Sequence, residues 1–307
     1  MKIGAFGKIK IGVAVLLVFG LLFLHFYVPR IITEIRNPLI ESIRGVSKKS
    51  DAQTFNYSAE VGREIRFASF DDVELVASET YAKSDTVIGT IILLHGIRSR
   101  KEHFITLSNR LAKEGFNVIA LDSRGHGQSG GDNCSFGVFE KKDVSSLLDV
   151  LIKRGQNHKI GIFGQSLGGA IALQSLGSDE RLDFGVVEST FSEFRTITHD
   201  YIKYHLGISI KLFSNYLVNR AGSMANFDPD KASPISYCKN IKQPVLMVHG
   251  SEDRRISIEY GKANFEVLQN RNSDFVEIIG ANHTNVWELG GEEYARKVIS
   301  FMKAMSK

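Results

Sequence analysis

Two kinds of hydrophobic pattern divide the chain. Near the N-terminus, Ile11 to Val28 form one uncharged run of 18 residues, IGVAVLLVFGLLFLHFYV, apolar on every helical face. From residue 62 onward, short apolar runs alternate with segments in which apolar positions recur every three or four residues. Arg63–Phe70 and Val73–Tyr81 read as two strands joined at Asp71-Asp72, a hairpin. Gly89–Leu94, GTIILL, is a continuous apolar run, as expected of a strand covered on both faces. Residues 102–114 put Phe104, Leu107 and Leu111 on one helical face, with Gly115 as a stop. Asn117–Leu121, Lys159–Phe163, Phe184–Val187, Val245–Val248 and Phe275–Ile279 read as further strands. Phe139–Lys153, the segment from Leu167, Ile258–Leu268 and Glu292–Met305 carry helical periodicity.

Strands that alternate with helices predict an α/β domain: a mostly parallel sheet, mixed because of its opening hairpin, with helices on both faces. The stretch 191–242 breaks the alternation and is too long for an ordinary connection. Its apolar and aromatic content (Phe191, Phe194, Tyr201, Leu212, Phe213, Tyr216) says that it folds, and a small helical lid over the ligand-binding edge is the economical reading. The expected organisation is an N-terminal membrane anchor at 1–30, a polar stalk at 31–61 with Asn37-Pro38 interrupting any long helix, and a domain at 62–307 with the lid inserted at 191–242.

As a helix, Ile11–Val28 would span about 27 Å, close to the hydrocarbon thickness of a bilayer. Lys2, Lys8 and Lys10 precede it, and Pro29-Arg30 end it. A cleaved secretory signal is the alternative, but no small-x-small cleavage pattern follows. A buried core helix fits poorly with a segment apolar all round. The basic leader favours a domain outside the cytoplasm, whereas Arg30, Arg36, Arg44, Lys48 and Lys49 load the other flank, so the positive-inside rule is divided.

Charge sharpens this division. Residues 1–50 hold eight Lys/Arg against two Asp/Glu, and the rest of the chain holds 30 against 32. The basic excess therefore belongs to the membrane-flanking region, and a nucleic-acid surface on the domain is not expected. Cys134 and Cys238 show no CxxC or Cys/His ligand spacing; they read as two thiols or one disulfide, and no metal site is implied.

Gly164-Gln165-Ser166-Leu167-Gly168 matches G-x-S-x-G directly after the strand KIGIF and before the helix LGGAIALQSL. A serine on such a strand-to-helix turn is lifted above the sheet edge. In this context the body of the chain, residues 62–305, resembles the α/β-hydrolase superfamily, in particular its monoacylglycerol-lipase-like and serine-aminopeptidase-like branch. The resemblance implies Ser166 as nucleophile, followed in chain order by an acid and a histidine. The acid falls just past the strand PVLMVHG, at Asp253, with Glu252 as the neighbouring alternative. The histidine falls after the last strand, at His283.

The same resemblance implies two backbone donors for an oxyanion, Leu167 after the nucleophile and Ile97 in His95-Gly96-Ile97-Arg98. Arg98 departs from the family pattern; it is either solvent-exposed or a contact to an anionic part of the substrate. The loop Asp122-Ser123-Arg124-Gly125-His126-Gly127-Gln128-Ser129 also resembles a family signature, and its expected role is structural: turns at the glycines, with Asp122 and Arg124 tying loops near Ser166. The implied chemistry is hydrolysis of an acyl ester, lipid-like or small, without metal or cofactor. Peptidase or thioesterase action on the same residues, or a non-catalytic binding role, are the alternatives.

Overall fold

The computed structural model describes residues 5–38, 42 and 63–307. Most of the expected stalk, 39–41 and 43–61, lies outside these. Eight strands form one sheet: β1 (Arg63–Ala68), β2 (Glu74–Thr80), β3 (Gly89–Leu94), β4 (Phe116–Asp122), β5 (Ile160–Gln165), β6 (Phe184–Glu188), β7 (Val245–Gly250) and β8 (Asp274–Ile278). Their order is β1-β2-β4-β3-β5-β6-β7-β8. β1 and β2 pair antiparallel, β2 joins β4 antiparallel, and every pairing from β4 to β8 is parallel. This is the mixed sheet that the opening hairpin predicts.

The continuous apolar runs have a direct physical cause. In β3, Ile92 and Leu94 enter one core while Ile91 and Leu93 enter the other, because alternate side chains point to opposite faces. The first core is closed by α4 (Glu140–Lys153), through Val144, Leu147, Leu148 and Leu151, and by α5 (Leu167–Leu176). The second is closed by α3 (Ile105–Lys113), through Leu111, and by α10 (Val286–Met305), through Val286, Tyr294, Val298 and Met302. Helix α10 begins six residues before the expected start and bends at Gly291, whose φ of 54° no regular helix contains.

Between β6 and β7 the expected lid contains α6 (Phe194–Leu206) and α7 (Lys211–Met224), followed by the short helix α8 (Pro234–Cys238). Phe194, Ile197 and Val218 reach the first core, and Ala232, Cys238 and Ile241 show that the return from the hairpin is part of the core layer. The hairpin tip is different: Tyr204, Leu206, Ile210 and Leu212 are exposed, Leu212 by 82%. α9 (Ile258–Val267) covers β7.

Among the described residues one segment, Ile9–Thr33, is long and apolar enough to cross a membrane, with a mean hydropathy of 2.5. Its helix α1 (Ala5–Phe26) packs against little else, whereas α2 (Val28–Thr33), which follows it directly, packs on α7. The start of the expected stalk is therefore not free-standing. Thr33, Ile35 and Asn37 are buried, the Thr33 carbonyl accepts from Cys134 N at 2.9 Å, and Ile35 N donates to the Asp132 carbonyl at 3.2 Å.

The loop 122–129 carries the structural role its pattern suggested. Asp122 accepts from Lys101 N at 2.7 Å, Lys101 Nζ at 2.8 Å and Gln128 N at 2.9 Å. Arg124 clamps Asp143 with two bonds of 2.8 and 2.6 Å and reaches Asp71 at 3.0 Å, its guanidinium between the Phe70 and Phe139 rings. Removing the arginine would strand a buried carboxylate, which costs more than the pair itself contributes. Arg124→Ala is expected to lower stability by about 3–5 kcal/mol, measured by urea unfolding of the solubilised full-length protein.

Candidate active site

Three chain segments meet at the C-terminal edge of the sheet, the edge at which open α/β sheets bind ligands. The first is the turn between β5 and α5. Ser166 sits there at φ 56° and ψ −116°, a conformation that L-residues rarely adopt. Two glycines make room for it. A Cβ on Gly164 would lie 2.1 Å from the Gly168 carbonyl oxygen, and one on Gly168 would lie 2.0 Å from that of Leu94. The turn is further pinned by Ser166 N donating to the Glu188 carbonyl at 2.8 Å and by Thr190 Oγ1 donating to the Ser166 carbonyl at 2.8 Å.

The second and third segments are the loops after β7 and β8. They are cross-tied by Glu252 N donating to the Ala281 carbonyl at 2.9 Å and by Gly280 N donating to Ser251 Oγ at 2.8 Å. Asp253 and His283 therefore move as one unit. His283 Nδ1 lies 2.7 Å from Asp253 Oδ2, and His283 Nε2 lies 3.1 Å from Ser166 Oγ. A carboxylate can only accept, so Nδ1 carries the proton and Nε2 offers its lone pair to the serine hydroxyl. Glu252, the alternative acid, is exposed, while Asp253 is buried.

Asp253 is held ionised. Burial alone would raise its pKa, but the neighbouring His249 and His283 imidazoles and the Ile256 N–H outweigh it and hold the carboxyl well below the usual carboxylate range. Its Oδ1 accepts from Arg255 N and Ile256 N, each at 2.9 Å. His249 donates through Nε2 to the Ile256 carbonyl at 2.8 Å and lies 3.5 Å from Asp253 Oδ2. Sequence reasoning passed over His249; the available signal was its spacing of four from the acid, at the end of a buried strand. It also passed over Glu188, a carboxylate that closes the apolar run FGVVE. Glu188 is buried beside the serine turn and accepts from Gln165 Nε2 at 2.6 Å and Tyr294 Oη at 2.7 Å.

The loop after β3 lies against the serine from the other side: a Cβ on Gly96 would stand 3.5 Å from Ser166 Cβ and 3.9 Å from its Oγ. Leu167 opens helix α5 directly after the serine, and Ile97 follows Gly96 in that loop. Arg98 is partly buried and donates to the Ile31 carbonyl at 2.6 Å and to the Glu34 carbonyl at 3.4 Å.

A scan against family models matches residues 85–233 to the serine aminopeptidase family S33. The chain is similar to the protein YqkD of Bacillus subtilis, 26% identical over 285 residues that cover 85% of this chain and 90% of that one. It is also similar to the alpha/beta hydrolase domain-containing protein WAV2 of Arabidopsis thaliana, 29% identical over 199 residues, 61% of this chain and 60% of that one. Among solved structures, the esterase Pf2001 of Pyrococcus furiosus superposes with a TM-score of 0.66 at 24% identity, covering 80% of this chain and 93% of that one. The chain has the α/β-hydrolase fold. Within this superfamily fold, Ser166 stands at the turn after the fifth strand, and Asp253 and His283 follow the seventh and eighth.

Two buried histidines beneath the loop after β3 report on the fold's response to acid. Ser123 N donates to His95 Nε2 at 3.2 Å, so His95 is neutral with its proton on Nδ1, which points to the Gly96 carbonyl at 2.8 Å. Burial, with the His126 ring beside it, lowers the His95 pKa to about 3. Burial lowers that of His126 to about 4, against its hydrogen bond to the Arg124 carbonyl. In the unfolded chain both rings take a proton near pH 6.5, and in the folded one they refuse it. Their stabilisation is complete above about pH 6.5 and is lost as pH falls from there toward 4 and 3. Each costs roughly 1 kcal/mol per pH unit within the window. Thermal melting of the solubilised protein should drop between pH 6.5 and 5, and His126→Gln should make that drop shallower.

Proposed function

We propose that this chain is a membrane-anchored serine hydrolase that cleaves acyl esters. The observation that carries the reading is the unbroken relay from Asp253 through His283 to the Ser166 hydroxyl, at 2.7 and 3.1 Å. In this mechanism His283 takes the serine proton as Ser166 Oγ attacks an acyl carbonyl. The Leu167 and Ile97 N–H groups bind the oxyanion of the tetrahedral intermediate. His283 then protonates the leaving alcohol, and an acyl-serine remains. Water, deprotonated by His283, attacks that ester, and collapse returns the serine and releases the acid. Asp253 holds the imidazole in the working tautomer and stabilises its charged form. Acyl transfer to water balances with these groups alone and calls for no metal or cofactor.

The substrate class follows from what surrounds the site. The apolar tip of the α6–α7 hairpin belongs to the same insertion that meets the end of the apolar N-terminal helix. There, His25 Nδ1 and Tyr216 Oη share a hydrogen bond of 2.6 Å, and the Arg220 guanidinium stands over the Phe26 ring. Exposed apolar side chains on a hairpin that meets an apolar N-terminal helix favour lipid-like acyl esters over soluble polar ones. We place residues 5–26 across the bilayer and the hydrolase body outside the cytoplasm. The match to the serine aminopeptidase family supports amide cleavage as a second reading of the same site.

Ser166→Ala should abolish labelling by a fluorophosphonate probe and lower ester turnover by about 10³-fold or more, and Asp253→Asn should lower turnover by about 10³–10⁴-fold. Labelling that survives Ser166→Ala would remove the serine from its role. A panel of p-nitrophenyl esters of increasing chain length, acyl thioesters and aminoacyl p-nitroanilides separates the substrate classes. Turnover that rises with chain length supports the lipid reading, and turnover confined to the anilides replaces it with a peptidase. Neither labelling nor hydrolysis of any member would leave a binding protein that keeps the fold.

A further inference from the structure

We propose that Arg98 is a positioning residue through which the membrane-proximal segment 28–38 sets the geometry of the oxyanion loop. The inference rests on the hydrolase reading above, since it concerns how the Ile97 donor is held.

The segment is built into the body beside the site. Helix α2 packs on α7, and Pro29, Thr33, Ile35 and Asn37 are buried. Glu34 and Asn133 form an antiparallel bridge, flanked by the Thr33–Cys134 and Ile35–Asp132 backbone bonds. Arg36 reaches into the 122–129 loop and donates to the Gly127 carbonyl at 3.1 Å and the Ser129 carbonyl at 2.8 Å. Backbone pairing on one side and side-chain clamps on the other leave the segment little freedom to slide.

Arg98 joins this segment to the loop after β3. Its guanidinium donates to the Ile31 and Glu34 carbonyls, which lie at the end of α2, where the last carbonyls of a helix lack internal partners and favour a cation. Its backbone sits at φ 57°, in the left-handed region that a side-chain-bearing residue occupies at a cost. A conformation of that kind persists when contacts over-determine it, and the clamp on α2 is such a contact. The neighbouring residues are also held: His95 bonds the Gly96 carbonyl from below, and Ser99 N donates to the same carbonyl at 3.1 Å. Gly96 lies directly against Ser166. The Ile97 N–H therefore stands one residue from the serine contact and one residue from the arginine clamp. Releasing the clamp lets the loop relax away from φ 57°, which displaces an oxyanion donor while leaving the Asp253–His283–Ser166 relay in place.

Such a displacement acts on the transition state and not on ground-state binding. In the full-length protein in detergent micelles, Arg98→Ala is expected to lower kcat for a p-nitrophenyl ester by about 10–100-fold, with KM changed by less than about twofold. Affinity for a trifluoromethyl ketone, which mimics the tetrahedral adduct, should fall in proportion to kcat. Added guanidinium ion should restore part of the lost rate, and Arg98→Lys should lie between the two. Arg36→Ala, which loosens the same segment from the other side, should lower kcat in the same sense and combine with Arg98→Ala less than additively.

The proposal is overturned if Arg98→Ala keeps the parent kcat. It is equally overturned if kcat falls only in step with melting temperature, with no rescue by guanidinium and no loss of ketone affinity, because that is a stability effect. Ser166→Ala run in parallel separates the two readings. If turnover survives Ser166→Ala, the hydrolase reading and this one fall together; if it is lost and Arg98→Ala is silent, only the clamp falls.

Discussion

The turn at Ser166 exists because two glycines leave space where any side chain would collide with backbone. Gly164 and Gly168 let the end of β5 and the start of α5 approach within about 2 Å of where a Cβ would stand, and the serine between them takes a positive φ. That constraint reaches outward in both directions. The β3 strand end, the β6 strand end and the first turn of α5 must all crowd around one residue, so their own positions are dictated by backbone contact and not by adjustable side chains. A strained residue is maintained by its surroundings, and here the surroundings are the central strands of the sheet. The serine hydroxyl therefore emerges at a fixed place above the edge, and the loops after β7 and β8 have a fixed target to reach.

Those two loops solve a different problem, that of bringing an acid and a base from separate strands to one point. Their backbone cross-ties through Ala281, Glu252 and Gly280 make them a single unit. Burying a carboxylate there would be costly if it were left with one partner. Asp253 instead receives two backbone N–H groups on one oxygen and faces two imidazoles on the other. The consequence is a buried carboxylate whose charge is supported by backbone N–H groups as well as by the imidazoles beside it.

Legibility from sequence tracked the range of the interactions concerned. Strands β3, β5, β6 and β7 could be read because each is apolar on both faces and each face meets its own core. The serine turn could be read because strand, motif and helix adjoin in the chain. Helix α10 was read six residues short, since Gly290-Gly291 interrupts its periodicity and the helix bends there instead of ending. The segment 31–38 looks like the start of a stalk because Asn37-Pro38 breaks any continuous helix, and nothing local reveals that Thr33 and Asn37 are buried or that Arg36 and Arg98 donate to main-chain carbonyls. Arginine bonded to backbone more than sixty residues away leaves no pattern, for the acceptor is a carbonyl that every residue carries.

This last class of contact also links the apolar N-terminal helix to the loops around Ser166. A tether joined by a loose linker conveys only proximity to the bilayer. Here the chain runs from α1 into α2 and is held at once by α7, by the strand-like bridge at Glu34, by Arg98 from the loop beside Ser166 and by its own Arg36, bonded to carbonyls of the 122–129 loop. The residues that follow the apolar helix are thus bonded directly to the loop after β3 and to the 122–129 loop. Whatever fixes the position of α1 also bears on α2, and α2 contacts both α7 and, through Arg98, the loop beside Ser166. In a body assembled in this way, packing and backbone hydrogen bonds, and not the length of a linker, set how the domain sits relative to its N-terminal helix.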